Sequence, residues 1–375
     1  MAKAKNTNME VKRKNRNRIY RYVRKCKVVS NPDIAYELKL SLPTVTQNTK
    51  ELIEMGLITE RGELESTGGR KAKALSIEEN SRLAVGLDIT RNHIGLLLTN
   101  LKGEILNYER IYDPFDKSEA YFCGVNKQLE EFLEKSHADK ERILGIGISF
   151  PGIVDLQKEA ITNSHALDVK ALAFREVERY FPYPCFFLND ANAGAYAEGV
   201  QAEEKKSFFY LSLSNTVGGA LYSDDRLVYG DEFRCGEVGH MTIVPDGIPC
   251  YCGKSGCLDS YCSAKRLNEI AGEKLGDFFV GLEQDRQEYK DAWERYTDYL
   301  AIAVNNLHMV FDYDIVLGGY VGSYLEDHIL EIRKKVADRN TFSGDGQFVK
   351  VCNYKTGAAA LGAALYVIEL FIEQI

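Results

Sequence analysis

The chain has 375 residues, 45% of them hydrophobic and 27% charged, a composition typical of folded globular proteins and not of disordered or fibrous ones. Its length favours two or three domains, and the absence of any apolar run of about eighteen residues or more argues against a transmembrane helix. The first residues lack the apolar core of a signal peptide, so we expect a cytoplasmic protein in which the nine cysteines form no disulfide framework.

The charge is unevenly distributed along the chain. Residues 1–82 contain 18 Lys and Arg against 10 Asp and Glu, a net charge of +8, whereas the remainder contains 29 against 45, a net charge of −16. A basic segment attached to an acidic body suggests that the first segment binds a polyanion while the body has another task. The alternative is that residues 1–17, which we expect to form a flexible basic tail, are only solvated.

Residues 18–80 have the pattern of a winged helix-turn-helix. Apolar residues recur at helical spacing from Ile19 to Cys26, and a second short helix follows, which Ser30 or Asn31 can cap. A tight joint then leads into a third helix, which in this motif lies in the major groove of DNA. We therefore expect a DNA-binding domain; a three-helix module that never contacts DNA is the alternative.

The third helix and the wing supply the candidate DNA contacts. Val45, Leu52 and Met55 should face the core, and Gly56 should end the helix. The opposite face carries side chains that can bond base edges or phosphates: Thr44, Thr46, Gln47 and Lys50. Alternating residues around glycine-containing turns then predict a two-stranded wing with cations that can reach phosphates: Arg70, Lys71 and Lys73.

The pattern changes at residue 83, and the rest of the chain predicts an α/β body. Strand-like runs begin at Leu83, Arg142, Phe186 and Ser207, and the run at Phe186 leads directly into a helical pattern. Strands that alternate with helices are typical of α/β proteins. We assign residues 83–375 to this body.

Four motifs occur in a distinctive order within the body. They are Pro151–Gly152, N-D-A-N at Asn189–Asn192, G-E-V-G-H at Gly236–His240 and C-Y-C-G-K-S-G-C-L-D at Cys250–Asp259. This order resembles the ROK family, which comprises repressors, open reading frames and sugar kinases. The resemblance runs from about residue 84 to the C-terminus, and the helix-turn-helix before it matches the family's repressor branch. It implies a two-lobed, actin-like (ribonuclease H-like) ATPase or sugar-kinase fold.

The last two motifs bring one histidine and three cysteines into segment 236–262. His240, Cys250, Cys252 and Cys257 form a Cys3His set, which suits tetrahedral structural zinc. Family members with this spacing bind zinc, so the resemblance implies one zinc ion per chain; ordinary buried thiols are the alternative. Four protein ligands leave no open position, and the metal is expected to orient its neighbours rather than to react.

The same motifs carry the candidate sugar ligands, because vicinal hydroxyls need carboxylates and amides held at several points. The resemblance implies that these ligands are Asn189, Asp190, Glu237 and His240, with Gly152 in the loop beside them. Asp259 stands at the family's last sugar-contacting position, where Glu is usual. Asn163 and His165 are further candidates, although such residues are more often ordinary loop residues.

Two functions from different classes fit this resemblance. In a sugar kinase, Asp190 would be the general base on a sugar hydroxyl while ATP occupies the cleft; in a repressor, the cleft only senses the sugar. The family's kinases have glycine-rich phosphate turns, whereas Asp88–His93 (D-I-T-R-N-H) lacks both glycines and Ser214–Ala220 (S-N-T-V-G-G-A) lacks two. Tyr320 also stands where a small residue is usual. Because side chains at such positions block phosphate, we predict that the protein is not an enzyme.

The sequence thus predicts a sugar-responsive DNA-binding repressor of carbohydrate-metabolism genes. The alternative is a ROK sugar kinase with an appended DNA-binding domain. The expected partners are operator DNA and a monosaccharide effector, with xylose or a related sugar favoured by the resemblance. Helix-turn-helix proteins bind palindromic sites as dimers, so we expect a homodimer or a dimer of dimers. Inducer and corepressor roles for the sugar are both compatible with the sequence.

Overall fold

The N-terminal module is a winged helix-turn-helix, as predicted. The computed structural model describes residues 8–63, 72–200, 207–272 and 274–375. Within these residues the module contains α1 (Asn8–Lys25), α2 (Asn31–Leu38), α3 (Leu42–Glu54), β1 (Ile58–Glu63) and β2 (Lys73–Ile77). β1 and β2 pair antiparallel and form the wing directly after α3.

The apolar stripes of the helices form the core of this module. Its fully buried side chains from α1 and α3 include Ile19, Tyr20, Val23, Val45 and Leu52. Ser30 caps α2, because its hydroxyl accepts a bond from the Asp33 amide at 3.4 Å and the Asp33 carboxylate accepts one from the Ser30 amide at 3.0 Å. The helix-turn-helix therefore has both the packing and the capping that its sequence indicates.

Two predictions about this module are wrong. The flexible tail of residues 1–17 is contradicted from Asn8 onward, because α1 begins there; Lys and Arg favour helices, and Arg16 forms a 2.9 Å ion pair with Glu51. Residues 1–7 lie outside the described residues. Met55 does not face the core, since α3 ends one residue earlier and 40% of the Met55 surface is exposed.

The body has two lobes, and the first is built on a five-stranded sheet. Its elements are β3 (Leu83–Ile89), β4 (His93–Asn100), β5 (Ile105–Tyr112), α4 (Glu119–Lys135), β6 (Ile143–Phe150), β7 (Ile153–Asp155), β8 (Ala160–Asn163), β9 (Leu172–Ala173), α5 (Phe174–Glu178) and β10 (Cys185–Asn189). The strand order is β10-β6-β3-β4-β5, and β7, β8 and β9 form a separate small sheet. The interior strand β6 is parallel to both neighbours and is a nearly continuous apolar run, as expected of a strand covered on both faces.

The second lobe is built on another five-stranded sheet. Its elements are α6 (Asp190–Val200), β11 (Phe208–Leu213), β12 (Val217–Ser223), β13 (Arg226–Val228), α7 (Asp259–Cys262), α8 (Ala264–Ala271), α9 (Leu275–Glu283), α10 (Gln287–Phe311), β14 (Asp314–Gly318), α11 (Gly319–Gly322), α12 (Ile329–Ala337), β15 (Val349–Val351) and α13 (Ala358–Gln374). The strand order is β13-β12-β11-β14-β15. None of the described helices is long and apolar enough to cross a membrane.

α6 and α13 lie side by side between the two sheets. α13 packs on β3 and β6 of the first lobe, and α6 packs on β11 and β12 of the second. Glycines permit the close approach: a Cβ on Gly147 would lie 2.0 Å from the Ala363 carbonyl oxygen, and one on Gly362 would lie 1.7 Å from that of Ala193. The helix pair therefore belongs to the shared core of both lobes.

The C-terminal half of α13 also contacts the N-terminal module. The Arg21 guanidinium donates two hydrogen bonds to the Glu369 carboxylate, one of them at 2.7 Å. The Asn17 amide donates to the Glu373 carbonyl oxygen at 3.1 Å. Buried apolar residues of the two parts belong to one continuous cluster. The winged module is thus seated on a core helix of the body.

Candidate functional site

Asn189 and Asp190 lie where β10 ends and α6 begins. The Asn189 amide donates to the Gly152 carbonyl oxygen at 2.9 Å, and its own Oδ1 accepts a bond from the Asn192 amide at 3.0 Å. The Asp190 carboxylate accepts a bond from the Ala191 amide at 2.9 Å. These bonds fix both side chains beside the Pro-Gly loop, so the structure brings together the three candidates Gly152, Asn189 and Asp190.

Two carboxylates interact at the base of the cleft. Burial raises the pKa of Asp190 to about 7, and the nearby charges of Asp88 and Glu237 add to that rise. Burial raises the pKa of Asp88 to about 6, although the Ser149 hydroxyl donates to its Oδ1 at 2.9 Å and favours the charged form. Asp190 can therefore exchange a proton near neutral pH, and its acidity depends on what else enters the cleft.

Glu237 and His240 flank the 3-10 turn Val238–His240. Burial raises the pKa of Glu237, and the electrostatic influence of His240 and His165 opposes that rise. The ring of His165 lies 6.3 Å from that of His240 and 5.3 Å from that of Tyr251, which is itself 5.4 Å from His240. One carboxylate and three rings are thus grouped together, and Glu237 is close enough to Asp190 to raise the pKa of that carboxyl.

The Asp259 side chain is buried and bonded within the protein. The residue is buried, and its Oδ2 accepts hydrogen bonds from the Val217 amide at 2.6 Å and from the Tyr251 hydroxyl at 3.4 Å. In this arrangement the carboxylate anchors the start of β12 and orients Tyr251. The sugar contact that the resemblance implies for Asp259 stays a prediction.

The four predicted metal ligands come together. The potential ligand atoms of His240, Cys250, Cys252 and Cys257 all lie within 4.8 Å of one another. Nδ1 of His240 is 3.9 Å from Sγ of Cys250, and the sulfurs of Cys252 and Cys257 are 3.7 Å apart. Zinc–sulfur bonds of about 2.3 Å place two sulfurs about 3.8 Å apart in a tetrahedron. The cluster could hold a metal ion of that size.

The loop that carries the three cysteines is closed by backbone bonds. The Cys250 amide donates to the Lys254 carbonyl oxygen at 2.7 Å, and the Gly253 amide donates back to the Cys250 carbonyl oxygen at 3.0 Å. Gly256 has a φ of +80°, and a Cβ there would lie 1.8 Å from the Val244 carbonyl oxygen. The glycines of the motif thus allow a tight turn around the thiols.

A cleft of about 900 Å³ opens between the lobes on the other side of Asp190. Arg91, in the first predicted phosphate turn, donates to the Ala166 carbonyl oxygen at 3.3 Å. The guanidinium of Arg110 lies 5.3 Å from the centre of the Tyr320 ring and 3.5 Å from its hydroxyl. Ser214, in the second turn, accepts a bond from the Tyr320 amide at 3.3 Å. Protein side chains therefore occupy part of this half of the cleft.

The DNA-contact candidates on α3 lie on its outer face. Thr46, Gln47 and Lys50 are exposed. Thr44 is half-buried, and its hydroxyl lies 2.7 Å from that of Ser41, the N-cap residue. Thr46, Gln47 and Lys50 are therefore accessible to a partner, with Lys50 in an exposed 3.8 Å ion pair with Glu54, while the Thr44 hydroxyl contacts the N-cap residue.

The wing is described only in part. Lys73 is exposed, and its ammonium group bonds both carboxylate oxygens of Glu60, at 2.6 and 2.9 Å. Arg70 and Lys71 lie outside the described residues. Exposed ion pairs contribute little to the free energy of folding. Lys73 can therefore leave Glu60 and bind a phosphate with little loss of stability.

Some contributors to the site were not identified from the sequence. Arg110 lies in none of the motifs, and Tyr251 lies between two cysteines of the last motif but was not considered a site residue; their contacts with Tyr320 and His165 form because distant segments meet there. Asp88 was noted only as the start of a phosphate turn, and its carboxylate proves to interact with Asp190. The only sequence signal for this pair was an acidic residue, Asp88, next to the last residue of an otherwise apolar strand.

Comparisons with known proteins agree with this architecture. A winged helix-turn-helix DNA-binding model matches residues 12–59. The xylose repressor of Caldicellulosiruptor bescii is 27% identical over 371 residues, covering 92% of each chain. The crystal structure of a ROK family transcriptional regulator, a homologue of the E. coli MLC protein, superposes with a TM-score of 0.78 at 22% identity, covering 97% of this chain and 100% of the other.

The body alone has the fold of sugar kinases. A ROK family glucokinase from Streptomyces griseus, in complex with glucose and AMPPNP, superposes with a TM-score of 0.66 at 22% identity, covering 76% of this chain and 98% of that one. The ROK family model matches residues 84–369, from the first strand of the body into its last helix. The chain is a member of the ROK family.

Proposed function

We propose that the protein is a sugar-responsive transcriptional repressor of carbohydrate-metabolism genes. The observation that carries the proposal is the combination, in one chain, of a winged helix-turn-helix with a ROK body in which Asn189 adjoins Asp190 and Glu237 is close enough to raise the pKa of Asp190. A relative that is named xylose repressor and matches over 92% of both chains supports the same assignment. Such a protein acts in the cytoplasm, on the chromosome.

In this proposal the operator is contacted by α3 and the wing. Gln47 and Thr46 read base edges, while Lys50, Thr44 and the wing cations Arg70, Lys71 and Lys73 contact bases or phosphates. The exposure of Thr46, Gln47 and Lys50 supports these roles. Two chains in a homodimer would place two such heads on a palindromic site.

The effector is a neutral sugar, with xylose favoured by the name of the relative. Its hydroxyls donate to the carboxylates of Asp190 and Glu237, accept from the Asn189 amide and meet His240, with Gly152 and Asp259 at the two ends of the pocket. Each bond to a charged group contributes about 1.5–3 kcal/mol. Several such bonds give the pocket its selectivity for a polyhydroxylated ligand.

Zinc is the metal that best fits the thiol and imidazole cluster. Soft sulfur ligands with one imidazole favour zinc, and the 3.7 Å sulfur separation suits a tetrahedral site. With Nδ1 directed toward the thiols, Nε2 of His240 is left for a sugar hydroxyl. The ion would thus hold His240, and through the turn Glu237, in one orientation.

The protein would not phosphorylate its sugar. Arg91 and the Arg110–Tyr320 contact line the same cleft as Asp190. The first phosphate turn lacks both of the usual glycines, and the second lacks two but retains Gly218 and Gly219. The competing candidate is a sugar kinase, favoured by the pKa of about 7 at Asp190, a value suited to a general base.

A ligand panel and an activity assay separate the two candidates. Thermal-shift measurements with monosaccharides and with ATP should show stabilisation by a sugar and none by ATP, because only a ligand of the folded state raises Tm. A coupled assay should detect no sugar-dependent ADP release. Turnover that Asp190→Asn abolishes would contradict the repressor-only reading and establish the kinase.

A further inference from the structure

A second cavity, of about 490 Å³, lies beside the candidate sugar pocket. Its size is within the usual range for small-molecule sites. One wall is formed by the β7–β8 hairpin and the other by the loop of residues 231–234. None of the functions discussed above uses it.

The two walls of this cavity continue directly into the sugar pocket. On the first wall, Ile153 follows Gly152, and a Cβ on Gly152 would lie 2.3 Å from the Asn163 carbonyl oxygen. On the second wall, the Glu237 amide donates to the Arg234 carbonyl oxygen at 3.3 Å. His165 follows Asn163 by two residues, and His240 follows Arg234 by six. The ring centres of these two histidines are 6.3 Å apart. The cavity and the pocket are therefore neighbouring parts of one groove.

The charges that line the cavity largely compensate one another. Arg234 forms a 2.5 Å ion pair with Glu232, and Lys158 forms a 2.9 Å ion pair with the buried Asp155. Asp231 is the remaining charged residue of the lining. A lining with nearly balanced charge has no strong preference for a phosphate or a cation, and it suits a neutral polar ligand.

The remaining side chains have the chemistry that binds sugars. Gln157, Thr162 and Asn163 offer hydrogen-bond donors and acceptors, which match hydroxyl groups that are both. Phe233 adds an aromatic surface, and it is held in a left-handed conformation with a φ of +57° and its ring 5.9 Å from that of Tyr229. Polar groups around one aromatic ring can receive the polar edge and the apolar face of a sugar ring.

We propose that this cavity is a second sugar subsite and that the effector contains two linked sugar units. The first unit binds at Asn189, Asp190 and Glu237, and the second lies against Phe233 between Gln157 and Asp231. This inference rests on the proposed sugar-sensing function and extends it from a monosaccharide to a disaccharide or longer glycoside.

Calorimetry with matched sugars tests the subsite in the full-length protein. The probes are xylose with xylobiose, and glucose with cellobiose and maltose. At least one disaccharide should bind at least tenfold tighter than its monosaccharide. Gln157→Ala and Asp231→Ala change exposed side chains, so the fold should be retained. Both substitutions should abolish the tighter binding of the disaccharide and leave monosaccharide affinity within twofold of the parent. The control Glu131→Ala, on the exposed face of α4, should change neither disaccharide affinity nor monosaccharide affinity.

The outcomes distinguish this inference from the proposed function. If monosaccharides bind and no disaccharide binds tighter, the second subsite is wrong and the sugar-sensing function stands. A disaccharide advantage that survives both substitutions would place the second unit elsewhere and also overturn the inference. If no carbohydrate binds at all, both the sugar-sensing function and the subsite are wrong.

Discussion

At the scale of single residues, the cleft depends on carboxylates that are costly to ionise. Asp190 and Asp88 are both withdrawn from water, and the charge of Asp88 further disfavours ionisation of Asp190. A sugar hydroxyl or a cationic group that enters the cleft would relieve this cost. The pair is therefore a place where ligand binding, protonation and stability are linked.

This pair gives a pH-dependence with a defined sign. The pKa of Asp190 in the folded protein, about 7, lies above its unfolded value, so the folded state binds more protons and stability falls as pH rises toward and through 7. The side chain of the Asp190→Asn variant cannot ionise. Between pH 5 and pH 8 the free energy of unfolding of this variant should therefore rise, relative to that of the parent, by on the order of 1–2 kcal/mol. Urea unfolding at both pH values measures this gain.

An exposed aspartate provides the matched control. Asp116→Asn, outside the cleft, should follow the parent at both pH values. If the free energy of unfolding of Asp190→Asn changes with pH as that of the parent does, burial does not raise the pKa of Asp190 as described.

At the scale of elements, segment 236–262 is mostly irregular backbone that carries the four candidate metal ligands. Besides the bridges Thr242–Cys257 and Pro249–Ser255, backbone hydrogen bonds close its turns, among them the bond from the Gly256 amide to the Ile248 carbonyl oxygen at 2.9 Å. We expect a metal ion bound by His240 and the three cysteines to add to these bonds and to restrict the orientation of the neighbouring Glu237.

Removing one thiolate should therefore affect both the metal and the sugar. Cys252→Ser should lower zinc content from about one per chain toward zero. It should also weaken sugar binding by at least tenfold, because the metal no longer fixes the orientation of Glu237 and His240. Elemental analysis and calorimetry measure the two effects. Cys123→Ser, which changes an exposed cysteine outside the cluster, should change neither. Metal-free parent protein with normal sugar affinity would contradict the assignment.

The recognition helix and the wing should respond differently to substitution. Gln47→Ala should relax preference at one base pair by about 1–3 kcal/mol, because it removes a base-edge contact. Arg70→Ala should weaken all sequences alike and reduce the salt dependence, as expected of a phosphate contact. Fluorescence anisotropy with operator and random duplexes checks both. If both variants bind operator and random duplexes with the affinity and salt dependence of the parent, Gln47 and Arg70 do not make the proposed DNA contacts.

The elements show where sequence reasoning succeeds and where it stops. The order of motifs predicted the two-lobed body, and the Ser30 cap and the cysteine spacing predicted local structure, because those signals lie within a few residues. The extent of α1 was misjudged because charged residues favour both helices and solvated tails. The contacts of Tyr251 and Arg110 depend on how distant loops meet, and no local pattern records that.

At the scale of the whole molecule, one helix connects the cleft with the DNA-binding module. Residues Gly357 and Ala358, at the start of α13, line the cleft, and Glu369, near its end, binds Arg21 of α1. α6 begins at Asp190 and packs along α13. A sugar that draws Glu237 toward Asp190 would therefore act on a helix pair whose far end holds the winged module.

We propose that sugar binding and operator binding are coupled through this body. A sugar can shift the protein between two states only by binding one of them better. Moving operator occupancy from nearly full to nearly empty requires a differential affinity of about 5 kcal/mol, which several hydroxyl–carboxylate bonds can supply. Glu237→Gln removes one charged acceptor from the pocket, so it should bind operator normally and respond little to sugar.

The most direct test is operator affinity measured by fluorescence anisotropy across a titration of the sugar that raises Tm. For the parent, saturating sugar should weaken operator binding by at least a hundredfold, whereas Glu237→Gln should show less than a tenth of that change. Tighter operator binding would retain the coupling and make the sugar a corepressor. Unchanged operator affinity at sugar concentrations that calorimetry shows to be saturating would contradict the account.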